Sequence, residues 1–437
     1  MRRTHSTISF CLTKSHRIAE YLVSQGLATA GNLLYGLLCI RLLPIGEYAK
    51  FVVVFAIQGS LVVLMDIGIS GCLTPLVGER IDDLQLIADY LASARQIARV
   101  LFVLVIPITI VAYPLLVHNR NWGWQVVAAM VVIVLVSAWF ALVGAAYGAV
   151  LILRRDRMHW YRAQIISSYG TLALLGVFIA FHWLNAFAAI LINVAGVIWV
   201  GGDYFFHARK LLGVAGKPTK EKRKAIIQLT VPLVPAGVFY ALSGQISVLL
   251  ITIFGRTAAV ASVGALSRLG QIFTLLSPMN AILVGPYIAK LSKARLKMNY
   301  LLVVVIAVTC GGAAVALARA FPEIFLWVLG PKYAGLRVEV VLVVLSGAMA
   351  LVGGVMVAMN SSRRFVYYWA VLSWMILTLA VEAIFIWKVD LSTVRAVLWF
   401  NVAVGVPSLL INVLVGVYGL SRGGRRIVGI DYSPERQ

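Results

Sequence analysis

The chain has 437 residues, of which 61% are apolar and only 12% charged, and its mean hydropathy is +0.94. That balance excludes a soluble domain and predicts an all-α integral membrane protein, because backbone inside hydrocarbon must satisfy its own hydrogen bonds and a helix does so within one segment. The formal charge of +22 lies mostly in the connections between apolar runs, where it reports topology and attraction to anionic lipid and argues poorly for nucleic acid.

Twelve apolar runs of spanning length fall at roughly 18–40, 51–77, 100–117, 125–150, 163–181, 187–206, 228–254, 258–289, 299–318, 338–359, 366–387 and 396–420. With the amino terminus inside, 28 of the 38 Lys and Arg lie on inner segments, nine lie outside, and Arg268 falls within a run. The positive-inside rule then puts both termini in the cytoplasm. The first run is too long for a cleavable signal peptide, and its flanks fit a retained span.

The first run carries Tyr21, Gln25, Ala28, Thr29 and Asn32 on or near one stripe. Polar groups there either line a cavity or bond neighbouring helices. After the turn RLLPIGEY, from Arg41 to Tyr48, the second run holds Gln58 and Asp66, the latter within MDIGISG. A carboxylate near mid-span must be paired, protonated or hydrated. Asp66 is therefore a candidate for ion coupling, or an ion-pair partner of Arg268 or Arg41.

Pro107 and Pro114 can kink the third run, and the small residues of LVGAAYGAV permit close packing in the fourth. RRDRMHWYR, from Arg154 to Arg162, reads as a cytoplasmic turn, and Asp203 ends the sixth run at the inner surface. The long basic connection from His207 to Lys224 follows six runs of twelve. It divides the chain into an amino-terminal six-helix lobe (1–206), a basic linker (207–227) and a carboxy-terminal six-helix lobe (228–437), expected to surround a central cavity. In the seventh run Pro232 and Pro235 offer a bend, and Tyr240, Ser243 and Ser247 share a face.

The eighth run, Ala258 to Lys290, contains the most telling residue. Burying Arg268 at hydrocarbon depth costs about 2.5 to 3.5 kcal/mol on insertion scales, so something must offset it. Gly264, Arg268, Gln271, Leu275 and Pro278 share one helical face, which gives the guanidinium a polar companion one turn away and a glycine leaving room beside it. That face is either the wall of an aqueous cavity or one side of a structural ion pair. Near the end of the chain Thr378 and Glu382 are one turn apart, and Glu382 joins Asp66 as a candidate coupling group, able to exchange protons as its hydration changes. Asn401, Gly405, Ser408 and Asn412 form a helical stripe that lines a cavity or seals a helix contact.

Cys11, Cys39, Cys72 and Cys310 are scattered and read as core filling, and the six histidines lack ligand spacing. No metal and no cofactor are expected.

RLLPIGEY followed by DIGISG, the proline-opened seventh run, GALSRLGQIFTLLSP, and LGPKYAG from Leu329 to Gly335 together resemble the polysaccharide-repeat (O-antigen type, Wzx) flippases of the multidrug/oligosaccharidyl-lipid/polysaccharide exporter superfamily. The resemblance spans nearly the full length through loose motifs. It implies a multi-pass protein of the bacterial cytoplasmic membrane that turns undecaprenyl-diphosphate-linked oligosaccharide to the outer leaflet by alternating access, without chemistry on the cargo. It also implies a basic cavity residue at the diphosphate. Arg268 corresponds best, Arg41 is a second position, and Gln271, Gln25 and Asn32 are the accompanying polar groups. Membrane lipids and the lipid-linked oligosaccharide are the expected partners, with a polysaccharide polymerase and chain-length proteins as further candidates. Twelve runs depart from the lipid II flippase branch, which adds two helices.

A membrane potential negative inside favours outward movement of negative charge by about 2.3 kcal/mol per charge per 100 mV. Two alternatives stand beside this reading. A cation-coupled multidrug exporter of the same superfamily would want net acid in its cavity. A membrane glycan polymerase or ligase would need a sizeable outer loop, and the longest outer connection here, Arg319 to Arg337, is short.

Overall fold

The computed structural model describes residues 23–422 except 67, 78–79, 81, 119–121, 155, 232–233, 244, 275–279, 281–283, 364 and 366, without the side chains at 74, 157, 236, 240, 242, 274, 286, 290, 293, 294 and 422. Tyr21, Cys11, Pro232, Leu275, Pro278, the Tyr240 side chain and the basic residues of both ends therefore lie outside the described set. The described residues form helices and no strand: α1 (Val23–Leu42), α2 (Ile45–Asp66), α3 (Ile69–Val77), α4 (Leu84–Val117), α5 (Trp124–Leu153), α6 (Arg157–Ala180), α7 (Ala186–Leu212), α8 (Lys220–Thr230), α9 (Val234–Ser243), α10 (Ile246–Phe254), α11 (Thr257–Thr274), α12 (Gly285–Lys290), α13 (Lys293–Ala320), α14 (Pro322–Leu329), α15 (Arg337–Ser362), α16 (Tyr368–Lys388) and α17 (Val394–Arg422).

Among the described residues ten helical stretches are long and apolar enough to cross a membrane: α1, α2 with α3, α4 to α7, α13, and α15 to α17. The protein is an all-α membrane protein, as its composition demands. The seventh and eighth of the twelve apolar runs are described only in part: the described residues of the seventh lie in the end of α8, α9 and α10, and those of the eighth mainly in α11 and α12. Pro235 stands second in α9, where its missing N–H costs no hydrogen bond.

Local chemistry sets several boundaries. Asp83 accepts from the Leu86 N–H at 2.9 Å to start α4, and Asn185 accepts from Ala188 at 2.8 Å to start α7. Helix α7 ends with Arg209 and Lys210 in its last turn and with Gly213 at φ +63°, the left-handed cap that glycine takes without penalty. The same freedom lets the chain turn between α2 and α3, where Gly68 has φ +80°. RRDRMHWYR is mostly helix, because α6 already begins at Arg157.

The chain forms two compact units, Met1–Gly264 and Ala265–Gln437. In the first, α5 lies against α7 through glycine. A Cβ on Gly201 would stand 2.4 Å from the Phe140 carbonyl oxygen, and one on Gly144 would touch the Gly201 Cα at 3.4 Å. This is the close approach that LVGAAYGAV foreshadows. Gln58 donates to the Ser137 hydroxyl between α2 and α5, and Ser60 donates to the Ala241 carbonyl at 3.3 Å between α2 and α9. The basic connection after α7 is docked on α4: Asp89 accepts from the Lys217 N–H at 2.8 Å and from Lys222 Nζ at 2.5 Å, and Gly216 runs against the Ala88 carbonyl.

In the second unit α15 packs on α13 and α17, with Met356, Met359, Ile288 and Tyr300 in its core. Buried Asn360 joins all three helices, accepting from the Tyr300 hydroxyl at 2.8 Å and donating to the Asn412 carbonyl at 3.1 Å. A Cβ on Gly405 would touch Met349 at 3.1 Å, so the stripe from Asn401 to Asn412 seals a helix contact. Cys39 and Cys72 are core residues as expected, whereas Cys310 is exposed.

Candidate functional site

Helix α11 carries the charge on which the sequence reading turns. Gly264, Arg268 and Gln271 occupy successive turns of one face. Arg268 is only 8% exposed, and its Nη1 donates to Gln271 Oε1 at 3.1 Å, so these two predicted residues are brought together. Arginine presents a planar fork of donors whose geometry suits an anion such as a phosphate. Gly264 has another task than making room for arginine. A Cβ there would stand 2.2 Å from Val52 Cγ2, so the glycine lets α11 close on α2.

The remaining predicted residues are dispersed. On α1, Gln25 is half-buried, Asn32 is exposed and Arg41 is exposed at the end of the helix. Sixteen residues separate Gln25 from Arg41, roughly 24 Å of helix axis, too far for one diphosphate to touch both. Gln25 Oε1 is buried and has no hydrogen-bond partner among the described residues, while its backbone carbonyl accepts from the Thr29 hydroxyl at 2.8 Å. Asp66 ends α2 and accepts from the Ser70 N–H at 2.9 Å and the Ser70 hydroxyl at 2.7 Å. Among the described residues it forms no ion pair. Glu382 and Thr378 are both buried on α16.

Some groupings link residues far apart in sequence. The His159 and His207 rings lie 4.2 Å apart, each beside a carboxylate, Asp156 at 3.0 Å and Asp203 at 3.4 Å. Arg395 Nε meets the buried Glu339 at 3.2 Å. The LGPKYAG segment is a tight turn in which Gly330 takes φ +98°, and burial of Tyr333 pushes its phenol up to about 12.

The whole arrangement matches a solved structure described as the inward-facing conformation of a multidrug resistance MATE family transporter of the MOP superfamily, with TM-score 0.66 and 15% identity over 91% of this chain and 94% of that one. The fold is that of the MOP superfamily transporters. An outward-facing MATE family transporter of the MOP superfamily matches with TM-score 0.55 and 16% identity over 92% of this chain and 94% of the other. A MOP superfamily transporter from Pyrococcus furiosus, whose reversed binding-pocket polarity is described as suggesting a different function, matches with TM-score 0.55 and 14% identity over the same shares, 92% and 94%. No protein-family model and no curated protein sequence matches the chain. The MOP likeness is one of fold, and it does not single out the polysaccharide branch.

Proposed function

We propose that this chain is a transporter that moves its cargo across a membrane by alternating access. The observation that carries this reading is the MOP fold itself, matched over more than nine tenths of the chain to transporters described in inward-facing and outward-facing conformations.

For the cargo, the comparisons favour a multidrug exporter over the lipid-linked oligosaccharide suggested by the sequence motifs, since the matching MATE structures are named for multidrug resistance. One observation favours the second reading. Arg268 is a buried cation, which repels a cationic drug and attracts a diphosphate. The Pyrococcus furiosus neighbour, with its reversed pocket polarity, supports the idea that this fold serves cargo of more than one sign. Under the flippase reading the membrane is the bacterial inner membrane and the cargo undecaprenyl-diphosphate-linked oligosaccharide.

Reconstituted vesicles test both. The full chain should move a fluorescent diphosphate-linked oligosaccharide lipid between leaflets, faster when the potential drives negative charge in the direction of transport. Movement of a lipophilic cation and not of the diphosphate lipid would make it a drug exporter. Movement of neither would overturn transport.

A further inference from the structure

A cavity of about 450 Å³ opens at the end of the first unit where α2, α5 and α7 all begin. Ala129 and the buried Met130 give it an apolar floor, the exposed Phe187 adds an apolar side, and Glu47, Lys50 and Asn185 give it a polar mouth. Its volume is in the range of small-molecule sites. Its depth is set by aromatic residues around it. Trp124 is 77% exposed at the start of α5, and Trp183, 64% exposed and stacked on Phe181, precedes α7. Exposed tryptophans at helix ends mark the headgroup level of a bilayer. By the positive-inside rule, which puts the more basic connections in the cytoplasm, this is the outer face.

The mouth presents both signs of charge. Lys50 Nζ lies 2.7 Å from Glu47 Oε1, and Glu47 Oε2 accepts from the Ala186 N–H at 3.0 Å. An ammonium has three donors and a carboxylate about four acceptor positions, so each group keeps hydrogen-bonding capacity beyond these contacts. Both side chains remain partly exposed, at 25% and 31%. A pair held this way, above an apolar floor, complements a ligand with a phosphate, a primary ammonium and an acyl chain. A purely anionic headgroup would bring a second negative charge beside the Glu47 carboxylate, which repels it.

We infer that this cavity binds a zwitterionic phospholipid of the outer leaflet, its phosphate on Lys50, its primary ammonium on Glu47 and the start of an acyl chain against Ala129 and Met130. The site lies wholly in the first unit and is independent of the cargo reading.

Native mass spectrometry of the full chain, loaded from mixed micelles with phosphatidylethanolamine and phosphatidylglycerol of identical acyl chains, provides the test. The parent protein should retain phosphatidylethanolamine at least fivefold over phosphatidylglycerol. Lys50→Met and, separately, Ala129→Phe should remove that preference, one by deleting the phosphate contact and one by filling the floor, while Lys50→Arg should keep it. Glu47 is left intact because it also serves the start of α7. Unfolding temperature in lipid-free detergent identifies any variant that is misfolded. Equal retention of both lipids by the parent protein, or an undiminished preference in folded Lys50→Met and Ala129→Phe, would overturn the inference.

Discussion

The Asp66 carboxylate holds Ser70 by two hydrogen bonds, 2.9 Å to its backbone N–H and 2.7 Å to its hydroxyl, across the break at which α2 yields to α3. The first of these bonds satisfies an N–H in the first turn of α3, which is what a helix cap does. It gives a carboxylate within a membrane-spanning stretch a local reason to exist. Asp66→Ala should therefore lower stability by about 1 kcal/mol, whereas Asp66→Asn, which keeps an acceptor for the Ser70 N–H, should lose less. Thermal unfolding in detergent checks the order of the two. Coupling through Asp66 makes a different demand: Asp66→Asn would then flatten the pH dependence of transport while leaving unfolding nearly unchanged.

Gly201 and Gly202 form an internal control on α7. A Cβ at Gly201 would stand 2.4 Å from the Phe140 carbonyl oxygen, while one at Gly202 would meet nothing within 4 Å. Gly201→Ala forces α5 and α7 apart and should cost about 1 to 3 kcal/mol by overpacking. Gly202→Ala should be neutral or stabilise by up to about 1 kcal/mol, as alanine does in a helix. Membrane abundance and unfolding temperature of the pair are the readouts, and equal effects would contradict the packing described.

Asn360 should be the most sensitive polar residue of the second unit. Its amide serves Tyr300 and Asn412, and its backbone carbonyl accepts from the Phe365 N–H at 2.8 Å. Asn360→Leu leaves the Tyr300 hydroxyl unsatisfied in the core and should cost about 1 to 3 kcal/mol. Tyr300→Phe in the same background should recover part of that loss, because it removes the stranded hydroxyl. A double-mutant cycle on unfolding temperature measures the recovery.

The docked connection after α7 predicts a proteolytic signature. Asp89 anchors it through Lys217 and Lys222. Asp89→Ala should release it and raise the rate of tryptic cleavage at Lys220 severalfold, since the bond after Lys217 leads into Pro218 and resists trypsin. An unchanged rate would mean that the anchor does not hold the segment in solution.

Sequence and structure agree where hydropathy alone decides. The all-α membrane architecture, ten of the twelve spans and the small-residue contact of α5 with α7 follow from run length and glycine placement. The seventh and eighth runs lie only partly within the described residues. At the candidate site the Arg268 and Gln271 pairing could be read, since i and i+3 on a helix are neighbours whatever the tertiary fold. The work of Gly264 could not, because its partner Val52 is far away in sequence. Asp66 shows the same limit from the other side. Its dominant contact is only four residues on, but recognising it as a cap required seeing that the helix breaks at Gly68.

The central claim is that the buried Arg268 guanidinium serves the cargo and is not merely one half of a structural ion pair. Arg268→Ala and Arg268→Lys, assayed together for membrane abundance and for movement of the diphosphate-linked lipid, test it most directly. The account predicts that Arg268→Ala reaches the membrane at near-normal level and abolishes movement, and that Arg268→Lys keeps part of it, since an ammonium retains the charge and loses the planar fork. A well-expressed Arg268→Ala that moves the diphosphate lipid normally, or one whose abundance collapses and is restored by removing a partner carboxylate, would contradict it.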